Sequence, residues 1–382
     1  MKKIYADNAS TSFPKAPGVS CAVKNFLDNA AYNISRGGYT GAYDVAMEVI
    51  EARQMLAQLF DAPSPGEVVF TPSATYSLNI LLRGLLKKGG HVLTTSMEHN
   101  AVMRPLHALT KIGVTYDTIP CDNEGDLNPD DITGLIKKET KALVMTHASN
   151  VCGTVMPIDR AAQICKKHGI RLIVDAAQTA GLLPISTRNV DALAFAGHKG
   201  LLGPGGIGGL VIKQDFAEEV EPLVTGGTGS LSDGIEQPNF LPDKFEAGTL
   251  NIPGIIGLKA AVKYINSVGV KTLYAKKMAL AQLFISKIAS IPGAKIIGKK
   301  DCDGRIAVVS LDFPDRDNAT IAQALDENFG IMTRCGLHCA PQAHKTLFTY
   351  PHGTVRFSFG SFNTPDEVEH IAGAVKQILK KV

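Results

Sequence analysis

Two short apolar runs end in charge, and the pair limits what the chain can fold into. Arg171-Leu172-Ile173-Val174 leads into Asp175-Ala176-Ala177-Gln178, and Ala192-Leu193-Ala194-Phe195 leads into Ala196-Gly197-His198-Lys199. Short, nearly continuous apolar runs read as strands buried on both faces, the kind found in parallel sheets. An open sheet of that kind holds its ligands beyond the carboxyl ends of its strands. A carboxylate at one such end and an amine at another suits pyridoxal phosphate (PLP). That cofactor takes a lysine as a Schiff base and a carboxylate against its pyridinium nitrogen.

The surrounding sequence supports such a sheet. Seven strand patterns, at 67–70, 91–95, 115–119, 142–146, 171–174, 192–195 and 208–212, alternate with helical patterns around 74–86, 100–111, 129–138 and 159–168. That alternation predicts an α/β unit with a mostly parallel, helix-covered sheet. The last two strands are joined only by a Gly-rich turn, which predicts a local departure from parallel order. From about 255 the pattern changes to two helical stretches (255–267 and 271–291), separated strands at 305–312 and 354–359, and a final helix at 365–380. This reads as a smaller α+β unit. The expected division is a large domain over 15–254 and a small domain over 1–14 and 255–382. The Gly/Pro-rich stretch 222–254 reads as a long functional loop, since loops of that length seldom serve only as connectors.

Bulk properties narrow the function. The chain has 382 residues, 45% of them apolar, with no long apolar run, which argues against a membrane span. Its 39 basic and 36 acidic residues nearly cancel, so nothing points to nucleic acid or a membrane surface. The opening residues contain no signal-peptide apolar core. Seven cysteines without repeated spacing predict free thiols in a reducing cytoplasm.

Each candidate residue has a plain structural reading beside its chemical one. Lys199 sits among glycines that permit close approach of a ligand, and a lysine of lowered pKa there is a nucleophile and proton carrier. Alone it reads as a solvated lysine; with Asp175 twenty-four positions upstream, on a separate strand end, the chemical reading prevails. Asp175 would keep a pyridine nitrogen protonated, or cap a following helix. Gln178 is a donor for a phenolate oxygen. His99, just after a strand, offers a flat ring for stacking and a nitrogen for proton transfer, or is structural. Thr71-Pro72-Ser73-Ala74-Thr75-Tyr76-Ser77 places a strand-to-helix junction where backbone N–H groups can bind phosphate; Ser73 or Thr75 reads equally as an N-cap. Arg356 is a lone charge in a β-patterned run and needs a carboxylate, from substrate or from the protein itself. Cys339 lies in Arg334-Cys335-Gly336-Leu337-His338-Cys339-Ala340-Pro341, where neighbouring Arg and His favour a thiolate. The spacing of Cys335, His338 and Cys339 is poor for zinc, and no second ligand pair accompanies them, so no metal is expected.

Together these segments resemble the class V aminotransferase family of fold-type-I PLP enzymes, in its cysteine desulfurase and selenocysteine lyase branch. The resemblance spans nearly the whole chain. It runs from Tyr5-Ala6-Asp7-Asn8-Ala9-Ser10-Thr11 through Asn33-Ile34-Ser35-Arg36-Gly37, Glu98-His99-Asn100, Ser149-Asn150-Val151-Cys152-Gly153 and the two strand ends. Phe245-Glu246-Ala247-Gly248-Thr249 and Gly336-Leu337-His338-Cys339-Ala340 complete it. It implies Lys199 as the Schiff-base lysine, Asp175 on the pyridinium, Gln178 on the phenolate oxygen and His99 stacked on the ring. Ala74, Thr75 and His198 fall at the phosphate, and Thr249 reaches the phosphate of a neighbouring subunit, which implies a homodimer. Asn150, Arg36 and Arg356 fall on the substrate side, and Cys339 matches the nucleophilic cysteine. The implied activity is conversion of L-cysteine to L-alanine, with sulfur passed to Cys339 as a persulfide and onward to an acceptor, such as an iron–sulfur assembly protein. Selenocysteine as substrate, or another class V aminotransferase or epimerase with Cys339 as bystander, uses the same residues. A scaffold that has lost PLP chemistry is the non-enzymatic alternative. Four positions depart from the family pattern. Ala196 and Ala74 replace hydroxyl residues, each removing about 1 kcal/mol of neutral hydrogen bonding to phosphate. Tyr39 replaces a histidine, and Cys335 is an addition.

Overall fold

A computed structural model describes residues 3–34, 37–86, 90–231 and 234–380. The chain opens with β1 (Ile4–Tyr5), α1 (Val19–Asn29) and α2 (Thr40–Leu59). It then alternates β2 (Val68–Thr71), α3 (Ala74–Leu85), β3 (His91–Thr95), α4 (Asn100–Thr110), β4 (Thr115–Ile119), α5 (Asp130–Leu135), β5 (Thr140–Thr146), α6 (Ile158–His168), β6 (Arg171–Asp175), β7 (Ala192–Ala196) and β8 (Gly208–Ile212). Strands β2 to β8 form one seven-stranded sheet in the order β2-β8-β7-β6-β5-β3-β4. The run from β7 to β4 is parallel, whereas β8 pairs antiparallel with both β7 and β2. The departure expected at the Gly-rich turn is therefore real. Gly209 makes it fit: a Cβ there would fall 2.4 Å from the Phe195 ring and 2.5 Å from the Val69 carbonyl oxygen.

The central strands are apolar because both faces are covered, whereas the edge strand β4 is polar and partly exposed. Successive side chains point to opposite faces, and they sort into two separate cores. Leu172, Val174, Leu193 and Phe195 join one cluster, while Ile173, Ala192 and Ala194 join the other. That sorting fixes the register. A one-residue slip would exchange the two faces and carry the ends of β6 and β7 away from each other.

The rest of the chain adds α7 (Gln214–Glu219), α8 (Ile252–Val268), α9 (Val270–Ile288), β9 (Lys295–Ile297), β10 (Val308–Asp312), α10 (Asn318–Phe329), β11 (Ile331–Met332), β12 (Arg334–Gly336), α11 (Pro341–Thr346), β13 (Thr354–Ser358) and α12 (Pro365–Lys380). Strands β12, β13, β10 and β9 form a four-stranded antiparallel sheet. Its core centres on Phe284, Phe313 and Phe357, beneath α9 and α12. Helix α8 packs on α1 and α2. The chain's start returns to this region, since β1 pairs in parallel with β11. No helix among the described residues is long and apolar enough to cross a membrane.

Candidate active site

Asp175 is the last residue of β6, and Lys199 stands three residues beyond β7, the adjacent parallel strand. Asp175 is buried. Its Oδ1 accepts the Ala177 N–H at 2.9 Å. Turns follow it rather than a helix, so it caps no helix. Burial raises the pKa of Asp175, opposed by the Ala177 N–H and by the charge of Lys199. Burial lowers the pKa of Lys199, and Asp175 opposes that shift. Burial thus shifts each group toward its neutral form.

These two side chains line one cleft together with Ala74, Thr75, His99, Asn150, Gln178 and His198. Helix α3 aims its N-terminus into it. Ser73 is the N-cap, its Oγ accepting the Tyr76 N–H at 3.2 Å. The Ala74 and Thr75 N–H groups belong to the first turn and have no intrahelical acceptor, so with the helix dipole they form an anion site. Ala74 and Ala196 supply methyl walls to the same cleft, so the hydroxyls that the sequence lacks are absent from the lining itself.

His99 is the N-cap of α4, its Nδ1 accepting the Ala101 N–H at 3.0 Å. The ring proton therefore resides on Nε2. Burial, aided by Lys199, Arg356 and Arg104, pushes its pKa down to about 4, so the ring is neutral. His198 is pushed to about 4 by burial and by Lys199 and Lys15. Beside His99, Glu98 is fully buried. It accepts from Thr95 Oγ1 at 2.6 Å and Thr146 N–H at 2.9 Å, and burial pushes its pKa up to about 8.

Arg356, on β13, has an internal carboxylate partner. Its Nη2 donates to Asp7 Oδ1 at 2.9 Å and to Ser10 Oγ at 2.7 Å, and its Nη1 donates to the Asn150 carbonyl at 3.0 Å. The salt-bridge reading of this arginine is thus correct as far as it goes. It does not exhaust the guanidinium, because the Nε N–H is buried without a partner. Leaving such a donor unmet costs about 1–3 kcal/mol, which an arriving carboxylate recovers.

Cys339 is exposed on a short segment with unusual backbone. His338 and Cys339 both have positive φ, 49° and 56°, conformations that cost non-glycine residues about 1–3 kcal/mol each. Two outside groups grip their carbonyls: Asn150 Nδ2 donates to His338 O at 2.8 Å, and the Asn100 N–H to Cys339 O at 2.7 Å. The segment is thereby fastened to the cleft wall at Asn150 and to the start of α4. The flanking charges do not serve the thiol as the sequence suggests. The buried His338 ring has its Nε2 2.9 Å from Thr354 Oγ1, and burial pushes its pKa to about 2. Arg334 donates to Asp7 at 3.1 Å. Burial raises the pKa of Cys335 and keeps it a thiol.

Of the residues singled out from sequence, Lys199, Asp175, Gln178, His99, Asn150, His198, Ala74 and Thr75 meet in one cleft, and Arg356 and Cys339 connect to it through Asn150. Gln178 Nε2 spends one hydrogen on the Ala9 carbonyl at 3.0 Å and keeps the other. Thr249 is exposed and lines a separate groove beside Arg53 and Glu246. Arg36 lies outside the described residues. The sequence alone assigns no role to Asp7, Ser10 or Glu98, and it turns Arg334 toward the thiol rather than toward Asp7. Asp7 and Ser10 stood inside the quoted opening motif, but only the fold brings them to Arg356.

The cleft fits pyridoxal phosphate by its chemistry: a buried carboxylate without a cationic hydrogen-bond partner, an amine of lowered pKa, a neutral planar imidazole and a helix N-terminus. The family described as Aminotransferase class-V matches residues 4–371. A probable cysteine desulfurase of Methanothermobacter thermautotrophicus is 34% identical, the match covering 98% of this chain and 94% of that protein. A cysteine desulfurase of Shigella flexneri is 29% identical over 98% of this chain and 93% of its own length. The apo structure of a cysteine desulfurase from Thermococcus onnurineus superposes with a TM-score of 0.93 at 32% identity, covering 100% of this chain and 95% of that one.

Proposed function

The chain belongs to the class V aminotransferase family, in its cysteine desulfurase branch, and from that membership we propose that it converts L-cysteine to L-alanine and takes the sulfur onto Cys339 as a persulfide. The observation that carries this reading is the exposed Cys339 thiol, held on a fastened segment joined to the cleft of Lys199 and Asp175. When bound, PLP supplies an electron sink for the bonds at the substrate Cα.

The residues then divide the work. The N-terminus of α3, at Ala74 and Thr75, holds phosphate. Asp175, charged in the presence of a pyridinium, secures the ring nitrogen, and Gln178 Nε2 donates its second hydrogen to the phenolate oxygen. The flat face of neutral His99 excludes water, and its Nε2–H is a donor toward substrate. Arg356 receives the substrate carboxylate on its unmet Nε–H, while Asp7, Ser10 and the Asn150 carbonyl hold the guanidinium in place. Lys199, free as an amine, takes the Cα proton on Nζ, and its burial lowers its pKa in the direction a base needs. The Cys339 thiolate attacks the substrate sulfur. The S–S bond forms and the C–S bond breaks, its electron pair staying with the carbon fragment, which gains a proton and leaves as alanine.

Cys339→Ala is the decisive variant. It is expected to keep cofactor and substrate binding and to lose sulfide release from cysteine under reductant by at least about a hundredfold. Mass spectrometry after mixing wild type with cysteine should place one extra sulfur on Cys339. Wild-type sulfide release from the variant would leave an aminotransferase or lyase reading instead.

The enzyme is also proposed to be a homodimer, with Thr249 completing the neighbouring phosphate site. Its exposure favours this, as do Tyr43, Met47 and Ile50, which sit at i, i+4 and i+7 along α2 and are all exposed. Sedimentation should give the mass of two chains, and Ile50→Arg should shift it toward one while weakening PLP retention. A wild-type monomer that retains PLP removes this part of the reading. All seven cysteines are free, which suits a reducing cytoplasm. The persulfide there passes to a thiol acceptor, such as a protein that assembles iron–sulfur clusters.

A further inference from the structure

A second cavity, of about 30 Å³, shares Gln178 and Lys199 with the cleft. Its other polar lining comes from Asn8, Ser12, Lys277 and Ser358. Among the described residues no carboxylate lines it, and its ionisable groups are the two amines.

Lys277 is the anomaly. It stands on the buried face of α9, four residues after Leu273 and four before Ala281, and is 7% exposed. A lysine is seldom buried without a partner. Yet among the described residues none offers Lys277 a hydrogen bond or an ion pair. Its Nζ is not sealed into apolar packing, because it is absent from the enclosed orphan atoms, and the residue lines the cavity. Burial alone lowers its pKa, to about 8, so the side chain remains mostly cationic at neutral pH.

A buried cation without a counter-charge, opening into a cavity free of acids, is a built attraction for an anion. Size selects which one. A single water needs about 10–15 Å³, so a cavity of about 30 Å³ suits one compact ion. Ser12 and Ser358 already donate to the carbonyls of His198 and Ala6. With Lys199 and the second hydrogen of Gln178 given to the cofactor in the proposed holoenzyme, Lys277 is the side-chain donor left to the cavity. We propose that Lys277 forms a site for a halide-sized monovalent anion on the wall that the cavity shares with the cleft.

The site is independent of the sulfur chemistry, and its test can succeed or fail whatever Cys339 does. Holoenzyme is titrated with sodium chloride against sodium gluconate at constant ionic strength, following the thermal midpoint. Crystals soaked in bromide are measured at the bromine edge. The midpoint is expected to rise by roughly 2 °C as chloride replaces gluconate, with an anomalous peak at Lys277 Nζ. Lys277→Met and Lys277→Gln are expected to lose both responses. A wild-type midpoint indifferent to chloride, an equal rise in the two variants, or soaked crystals without bromide at Lys277 would each overturn the site.

Discussion

Lys199→Ala is expected to fold, to hold PLP weakly and to turn over cysteine at least about 10⁴-fold more slowly than wild type. The size of the loss follows from two roles carried by one nitrogen. Lys199 is the only amine lining the cleft among the described residues, so under the proposed function its removal takes away both the attachment point of the cofactor and the base for the Cα proton. Losses of groups that act together are far from additive, so the single change should approach complete inactivation. The fold should survive, because Lys199 makes no hydrogen bond or ion pair among the described residues and sits in a turn outside both cores. The checks are far-UV circular dichroism for the fold, visible absorbance for the cofactor and sulfide release for turnover. Added methylamine should restore part of the turnover by supplying an amine. Visible absorbance and turnover within tenfold of wild type would remove Lys199 from the chemistry.

Asp175→Asn should separate stability from activity. Burial raises the pKa of Asp175 in the cofactor-free protein, and the Ala177 N–H and Lys199 only partly offset it. A carboxylate whose folded pKa exceeds its unfolded value stabilises the fold at low pH. That contribution is lost as pH rises through the folded pKa. At neutral pH the side chain therefore works against folding of the apoprotein, and asparagine, which can still accept from Ala177, relieves it. The apo variant should melt at or above the wild-type midpoint at pH 7.5 and lose the difference toward pH 4. Its turnover should fall by about 10³-fold, because nothing then keeps the ring nitrogen protonated. A clear drop in apo stability at pH 7.5, or turnover near wild type, would refute the assignment.

Local patterns made most of the sheet legible. β3, β4 and β8 fall where the strand patterns predict them, and β6 and β7 each extend one residue further, onto Asp175 and Ala196. Such strands are short, apolar and bounded by turns, so the signal is local. Less was legible where tertiary contacts decide. Helix α2 carries exposed Tyr43, Met47 and Ile50 on the side opposite its buried Val45, Val49 and Ala52, so its periodicity is blurred. Strands β9, β11 and β12 have two or three residues each, too few for a pattern. The site divides in the same way. Asp175 and Lys199 could be paired from sequence because each ends its own strand. The partner of Arg356 could not, because Asp7 lies 349 positions away and only the fold brings it there. Nor could sequence reveal that His338 faces Thr354 rather than the thiol beside it.

The pairing of β1 with β11 bears on how the molecule is made. The first strand waits for residues 331 and 332, and Asp7 waits for Arg356. On a ribosome the seven-stranded sheet can close while these partners are still unsynthesised, since its last strand ends at residue 212. The substrate-side half of the site is thus the final part to assemble, through contacts of very high sequence separation that form slowly. Until then Lys199 and Asp175 stand open, able to meet the proposed cofactor before Arg356, the proposed grip on substrate, is in place.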